Sequence, residues 1–227
     1  MSTSVCYGDT VYIDVEDLLL YSSGVFHPTC YLVSRKNIAY KSFKHALFRI
    51  YPNYSYKDSS RAERLENQLE LLTQLDPKNE IGNQELSADI KEEKEIIRER
   101  EKKLKHLNEK LFNESKGTPV CFGQKIQLFH IESQCFLSLS KRTHKNDRSL
   151  ICLELTKHGS KDLYFEVKPA NEYTEVGDPV DYDLPIKIFA YKNGHCLTKG
   201  GLVNTSRIRT VLNPKDNKLT QDLSVFP

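Results

Sequence analysis

The stretch Tyr7-Gly8-Asp9-Thr10-Val11-Tyr12-Ile13 recurs twice further along the chain. It returns as Phe122-Gly123-Gln124-Lys125-Ile126-Gln127-Leu128 and, more weakly, as Tyr182-Asp183-Leu184-Pro185-Ile186-Lys187-Ile188. Each copy begins with an aromatic residue and ends with two apolar residues at alternate positions, which is the spacing of a strand with one buried face. Self-similarity of this kind indicates a fold built from repeated units.

Two shorter motifs follow each copy. The middle motif reads Cys30-Tyr31-Leu32, Cys135-Phe136-Leu137 and His195-Cys196-Leu197. The closing motif alternates apolar residues and ends on proline, as in 48–52, 165–169 and 223–227. From first strand to closing motif the units span 37, 39 and 37 residues. Three all-β units of this length predict a β-trefoil, a barrel with pseudo-threefold symmetry, because one unit alone cannot bury its apolar face.

An insertion separates the first unit from the second. Units one and two begin 115 residues apart, and units two and three begin 60 apart. The excess of 55 is close to the 59 residues of segment 58–116, which holds 12 basic and 15 acidic residues and a single one of the 22 aromatic residues. A segment so poor in aromatic residues cannot belong to the trefoil core. We therefore expect one trefoil domain with unit one at 1–57, the insertion at 58–116 and units two and three at 117–227.

The insertion has the pattern of an antiparallel helical hairpin. Ser60 with Glu63 is a capping box, and Asp76-Pro77 ends the first helix. The second helix is predicted from Leu86 to Phe112, with the turn at 76–85. The first helix carries leucines 65, 69 and 72; the stripe of the second is Leu86, Ile90, Ile97, Leu104, Leu107 and Leu111.

This apolar stripe has three interpretations. The two helices can bury it against each other, the second helix can form a coiled-coil contact with another protein, or the helix can be the target of a calmodulin-like regulator. The candidate contact residues are Ile97, Leu104, Leu107 and Leu111. The excess of acidic over basic residues in the insertion weakens the calmodulin interpretation.

Charge and hydropathy exclude several classes of function. With 33 basic and 31 acidic residues the net charge is +2, which argues against a nucleic-acid partner. No stretch reaches the roughly 20 apolar residues of a membrane helix. We therefore expect no direct insertion of this chain into a membrane, and the N-terminus has no signal-peptide pattern.

No catalytic, metal-binding or cofactor-binding constellation stands out. His130 near Cys135 and His195 beside Cys196 fall at equivalent points of the repeat, so packing explains them better than catalysis. The six cysteines form no CxxC pair and are expected to be reduced residues of the core, with disulfides as the alternative. We predict a protein that is not an enzyme and carries no metal or cofactor.

Several blocks of the sequence match a known family. They are Tyr7-Gly8-Asp9, Phe43 to Pro52, Gly177-Asp178 and above all Gly117 to Arg142. Over nearly its whole length the chain resembles the N-terminal suppressor domain of inositol 1,4,5-trisphosphate receptors, which is related to the same region of ryanodine receptors. The resemblance implies a β-trefoil with a helical arm between its first two units. It also implies that the ligand-binding residues lie downstream, so none is expected here.

The resemblance implies a regulatory function. The domain is expected to lower ligand affinity and to couple ligand binding to gating of an intracellular calcium-release channel. The implied partners are the inositol trisphosphate-binding core of the same chain and the neighbouring subunits of a tetramer. The implied location is the cytosolic face of the endoplasmic reticulum or of another calcium-store membrane.

The contact loop of this family would run here from Pro169 to Asp178. Relatives often place an aromatic residue two positions after the proline, where this chain has Asn171. Tyr173 lies nearby and is the expected anchor, and Gly177 with Asp178 closes the loop. The alternative to a channel domain is a stand-alone trefoil module that binds protein or sugar, similar to the MIR modules of mannosyltransferases.

Overall fold

Ten strands and one long α-helix form the main regular elements of the described residues. The computed structural model describes residues 4–15, 17–23, 28–56, 80–143, 151–157, 159–182, 184–197 and 206–210. The strands are β1 (Thr10–Val15), β2 (Leu18–Tyr21), β3 (Tyr31–Ser34), β4 (Phe48–Tyr51), β5 (Lys125–His130), β6 (Cys135–Thr143), β7 (Ile151–Thr156), β8 (Phe165–Pro169), β9 (Pro185–Ala190) and β10 (Ser206–Thr210). The helix α1 is Glu80–Ser115, and short 3-10 helices lie at Arg35–Asn37, Tyr40–Ala46 and Lys161–Leu163.

Six of the strands pair in a ring. Going around it, β1 pairs with β4, β4 with β5, β5 with β8, β8 with β9, β9 with β10, and β10 with β1, all antiparallel. The hairpins β2–β3 and β6–β7 extend from this ring. The sheet therefore closes on itself like a barrel, which leaves the ring strands without a free edge. The prediction of an all-β architecture is confirmed.

Three buried valines join the predicted units at one end of the barrel. The N–H of Val5 donates to the carbonyl of Val180 at 2.7 Å, that of Val180 to Val120 at 2.8 Å, and that of Val120 to Val5 at 2.8 Å. All three valines are 0% exposed. Each precedes by six residues the first apolar residue of the strand motif in its unit. The backbone thus forms a closed cycle of three hydrogen bonds with the same spacing as the sequence repeat.

The turns after β1, β5 and β9 are equivalent too, and they correct the middle motif. The positive φ angles of Asp17, Gln134 and Gly194 (62°, 54° and 69°) mark the same place in each unit. Cys135 follows this turn directly, whereas segment 30–32 lies at β3, one strand later. The true equivalent of Cys135-Phe136-Leu137 in unit one is therefore segment 18–20. The alignment failed because the turn of unit one has two residues between paired positions and that of unit two has four.

The main core fills the inside of this ring. Phe48 and Phe165 begin the closing motifs of units one and two, and Phe122 begins the second strand motif; none is more than 1% exposed. Burying one such ring contributes about 1.5–3 kcal/mol to folding. The alternation that predicts the strands thus also places their large residues in one shared core.

The helix α1 has 36 residues and is roughly 54 Å long. It contains the predicted helix from Leu86 to Phe112 but begins at Glu80, so residues 80–85 are helical and the prediction that the turn extends to 85 is wrong. Gly82 and Asn83 lie within it, since each of these weak helix formers costs at most about 1 kcal/mol. The first predicted helix and positions 76–79 lie outside the described residues, and the hairpin stays a prediction. No helix in the described part of the chain combines the length and apolar character needed to cross a membrane.

Candidate functional site

The predicted contact loop is fastened to the start of unit two. The N–H of Gly177 donates to the carbonyl of Phe122 at 3.0 Å, and the N–H of Phe122 donates to the carbonyl of Asp178 at 2.9 Å. The carboxylate of Asp178 accepts from the N–H of Glu175 at 2.9 Å. Pro169 lies at the other end of the loop, where it is the last residue of β8 and pairs with Ile186. The loop is therefore held at both ends by the sheet and by its own backbone.

The side chains at the tip of this loop point to solvent. Tyr173 is 95% exposed and Val176 is 76% exposed. Asn171 does not take the place of an aromatic anchor, because its side-chain oxygen accepts from the hydroxyl of Thr174 at 2.8 Å within the loop. Because the loop backbone is already held, a partner that covers this tyrosine has to order only its side chain. Chemically, the loop can offer an aromatic anchor to another protein surface.

The second candidate region is the root of α1, where the helix meets the chain after β4. The rings of Tyr51 and Phe112 stack with centroids 4.5 Å apart and an interplanar angle of 19°. The side-chain amide of Asn108 donates to the carbonyl of Ser55 and accepts from its N–H, each at 3.1 Å. The N–H of Gly117 then donates to the carbonyl of Tyr7 at 2.9 Å. These contacts fix the C-terminal end of the helix to unit one.

The structure divides the predicted arm stripe between two environments. Ile97 is 2% exposed, and Leu104 is half-buried against a cavity at the helix root. Leu107 is 59% exposed and Leu111 is 37% exposed. Among the four candidate contact residues, Leu107 and Leu111 thus offer the most apolar surface to a partner, and their role as a contact stays a prediction.

The aromatic cluster at this root was missed in the sequence. It joins Tyr51, Tyr54, Tyr56 and Phe136 of the barrel with Phe112 of the helix, and these rings line a cavity of about 670 Å³. Two signals could have found it. Three tyrosines lie within the six residues from 51 to 56, at the end of β4 and just after it. Phe112 is the single aromatic residue of the insertion. Neither signal reveals by itself that the two segments meet.

Of the two histidine and cysteine pairs, His130 and Cys135 are buried, whereas His195 is exposed and Cys196 is half-buried. His130 is fully buried; one ring nitrogen, Nε2, lies 3.0 Å from the carbonyl of His45, and Nδ1 lies 2.8 Å from the hydroxyl of Ser133. Burial lowers the pKa of His130, so its ring is neutral. The thiol of Cys135 donates to the carbonyl of Ser133 at 3.2 Å.

The cysteines are all free thiols, as predicted, but only Cys135 is fully buried and the other five are half-buried. Burial raises the pKa of Cys30 to about 12, so this thiol is not a nucleophile at neutral pH. Within the described ranges, no group of three or more His, Cys, Asp or Glu side chains is arranged to hold a metal ion.

The structure is that of a β-barrel module with a long helix between β4 and β5 and an exposed loop after β8 whose backbone is held by hydrogen bonds. The chain matches the family model of the inositol 1,4,5-trisphosphate/ryanodine receptors over residues 1–183. It is similar to the inositol 1,4,5-trisphosphate receptor itr-1 of Caenorhabditis elegans, with 21% identity over 185 residues that cover 81% of this chain. The chain belongs to the inositol 1,4,5-trisphosphate/ryanodine receptor family, which is a family of receptors and not of enzymes. It spans 6% of the length of the nematode receptor.

Proposed function

We propose that this chain is the regulatory N-terminal domain of an inositol trisphosphate receptor-like intracellular calcium-release channel. In this proposal it is not an enzyme and binds no ligand of the channel itself. It lowers the affinity of the downstream ligand-binding core and couples ligand binding to gating. The family membership supports the receptor class, and the geometry of the contact loop supports the mode of action.

We also propose that the domain is a single β-trefoil, with unit one at 1–57, a helical hairpin arm at 58–116 and units two and three at 117–227. The six-strand ring and the cycle of hydrogen bonds among Val5, Val120 and Val180 support this assignment. A trefoil presents loops at the ends of its units, and segment 169–178 is such a loop. The arm would then project from the junction of the first two units.

The exposure of Tyr173 on a fixed loop is the observation that carries the proposal. Large aromatic side chains that are almost fully exposed are common anchors of protein contacts. Between Ala170 and Leu184 the chain has five acidic residues and no basic one. Charge complementarity therefore favours a basic partner surface with an apolar recess for Tyr173 and Val176. We assign this surface to the ligand-binding core of the same chain or to a neighbouring subunit of a tetramer, at the cytosolic face of the endoplasmic reticulum or another calcium-store membrane.

The test is Tyr173→Ala in the full-length protein that carries this domain, with inositol trisphosphate binding as the measurement. Loss of the contact should raise ligand affinity, because the domain no longer restrains the binding core. A coupling free energy of 1–3 kcal/mol corresponds to a change of about 5- to 150-fold. Tyr191→Ala is the matched control, since Tyr191 is a half-exposed tyrosine outside the loop.

An unchanged dissociation constant in Tyr173→Ala would remove the loop from the coupling mechanism. The alternative function is a stand-alone trefoil module that binds protein or sugar. A natural protein of about 26.2 kDa that does not bind inositol trisphosphate would favour this alternative.

A further inference from the structure

The cavity at the root of α1 is a second site, remote in sequence from the contact loop. Its volume of about 670 Å³ lies within the roughly 300–1,000 Å³ typical of small-molecule sites. One wall is the helix from Glu101 to Asn113, and the opposite wall is the chain from Tyr51 to Tyr56 together with Phe136. The stack of Tyr51 on Phe112 and the amide of Asn108 on Ser55 hold the two walls in place.

Aromatic rings dominate the interior of this cavity. Phe136 meets Tyr51 and Tyr54 edge to face, with centroids 5.7 and 6.4 Å apart. The faces of such rings carry partial negative charge and attract cations. Burial raises the pKa of Tyr54, and the neighbouring Tyr51 and Glu109 raise it further, so its hydroxyl stays protonated and uncharged. The walls therefore offer apolar contact from neutral side chains together with the attraction of the ring faces for positive charge.

The charged residues of the lining point to the same kind of ligand. Glu101, Lys105, Glu109 and Lys157 border the cavity, and none forms an ion pair with another residue in the part of the chain described. Glu101 is half-buried, whereas the other three are exposed. A lysine can extend its ammonium group along its flexible stem into water, whereas the shorter side chain of Glu101 is half-buried in the lining of the cavity. The least exposed of the four charged lining residues is thus acidic, and it forms no ion pair with another residue of the described ranges.

We propose that this cavity binds a small organic cation with an apolar body. Its ammonium or guanidinium group pairs with the carboxylate of Glu101, and its body lies against the rings of Tyr51, Tyr54 and Phe136. The volume admits a drug-sized molecule, and the aromatic walls with one carboxylate select a cation over an anion of the same size. This inference does not rest on the proposed function of the contact loop.

The test uses the 227-residue chain and two dyes of comparable size. Thioflavin T is a planar cation, and 1-anilinonaphthalene-8-sulfonate is an anion; both become more fluorescent when bound. We expect saturable binding of thioflavin T at one site and at least tenfold weaker binding of the sulfonate.

Two matched pairs of variants locate the site. Glu101→Gln should weaken thioflavin T binding about tenfold, whereas Glu99→Gln, on the exposed side of the same helix, should leave it unchanged. Leu104→Trp should abolish binding because the indole fills the cavity, and Leu107→Trp should not, because Leu107 is exposed. Circular dichroism reports whether the tryptophan variants fold; if Leu104→Trp does not, the two glutamate variants decide the question.

Three results would overturn the proposal. They are the absence of saturable thioflavin T binding, an equal affinity of Glu101→Gln and Glu99→Gln, and tighter binding of the sulfonate that depends on Lys105 and Lys157.

Discussion

At the scale of single residues, Gly123 controls how the contact loop sits on unit two. Its φ of +85° lies in the left-handed region, and a Cβ built on it would be 2.6 Å from Cγ1 of Val176. Gly117 has almost the same φ, +83°, but no atom lies within 4 Å of its Cβ position. The two glycines therefore separate the cost of backbone conformation from the cost of crowding. Val176 cannot move aside freely for two reasons. Its β-branched side chain has few rotamers, and backbone hydrogen bonds hold the next two residues, Gly177 and Asp178, to Phe122.

We expect Gly117→Ala to lower the free energy of unfolding by about 1–2 kcal/mol, the cost of a left-handed residue with a side chain. Gly123→Ala should cost about 1–3 kcal/mol more, since the loop must shift to admit the methyl group. Urea unfolding of both variants measures the difference. In the double variant Gly123→Ala with Val176→Ala, the loss should return towards that of Gly117→Ala. Equal losses in the two single variants would show that Val176 does not press on Gly123.

The anchor of the loop shows how far residue-level prediction reaches. The family resemblance located the loop, and Tyr173 rather than Asn171 was the expected anchor, but the exposure of these side chains could not be read from the sequence. Asn171 is held by the hydroxyl of Thr174, and Tyr173 is left pointing outward. A side-chain hydrogen bond between two polar residues, like the one that holds Asn171, is not recorded in any periodic pattern.

At the scale of elements, the side-chain amide of Asn108 joins α1 to the chain after β4. It pairs with one residue's backbone N–H and carbonyl, as a neighbouring strand would. Asn108 satisfies both the N–H and the carbonyl of Ser55. Asn113 lies on the same helix and is exposed, which makes it a matched control. Asn108 and the stack of Phe112 on Tyr51 together attach the root of the helix to the barrel.

Asn108→Ala should lower the free energy of unfolding by about 1–3 kcal/mol, because two half-buried backbone groups lose their partner. Asn113→Ala should have little effect. Amide hydrogen exchange gives the most direct reading, since the N–H of Ser55 should lose protection in Asn108→Ala and keep it in Asn113→Ala. Unchanged protection at Ser55 would mean that the attachment does not depend on this amide.

The helix was predictable, but its surroundings were not. A spacing of three to four residues between apolar positions marks a helix whatever covers it. The same pattern does not say that Ile97 is buried while Leu107 is exposed. The stack of Tyr51 on Phe112 joins residues 61 positions apart, and no local rule brings them together. The cavity was missed for this reason.

At the scale of the whole molecule, the repeat was the most informative feature of the sequence. Every unit must place the same face of its strands in one core, so similar residues return at similar spacing. The hydrogen-bond cycle of Val5, Val120 and Val180 is harder to detect in the sequence than the strand repeat. Any residue other than proline can donate its backbone N–H, so the cycle does not require a particular side chain. The middle motif was misaligned because turn length differs between units and three residues carry too little information to fix a register.

The central claim is that this domain works as part of a much larger receptor. An antibody raised against the chain, used on fractionated cells of the source organism, tests it most directly. The account predicts a band far above 26.2 kDa in the endomembrane fraction. A soluble band near 26.2 kDa, with no larger species, would contradict it.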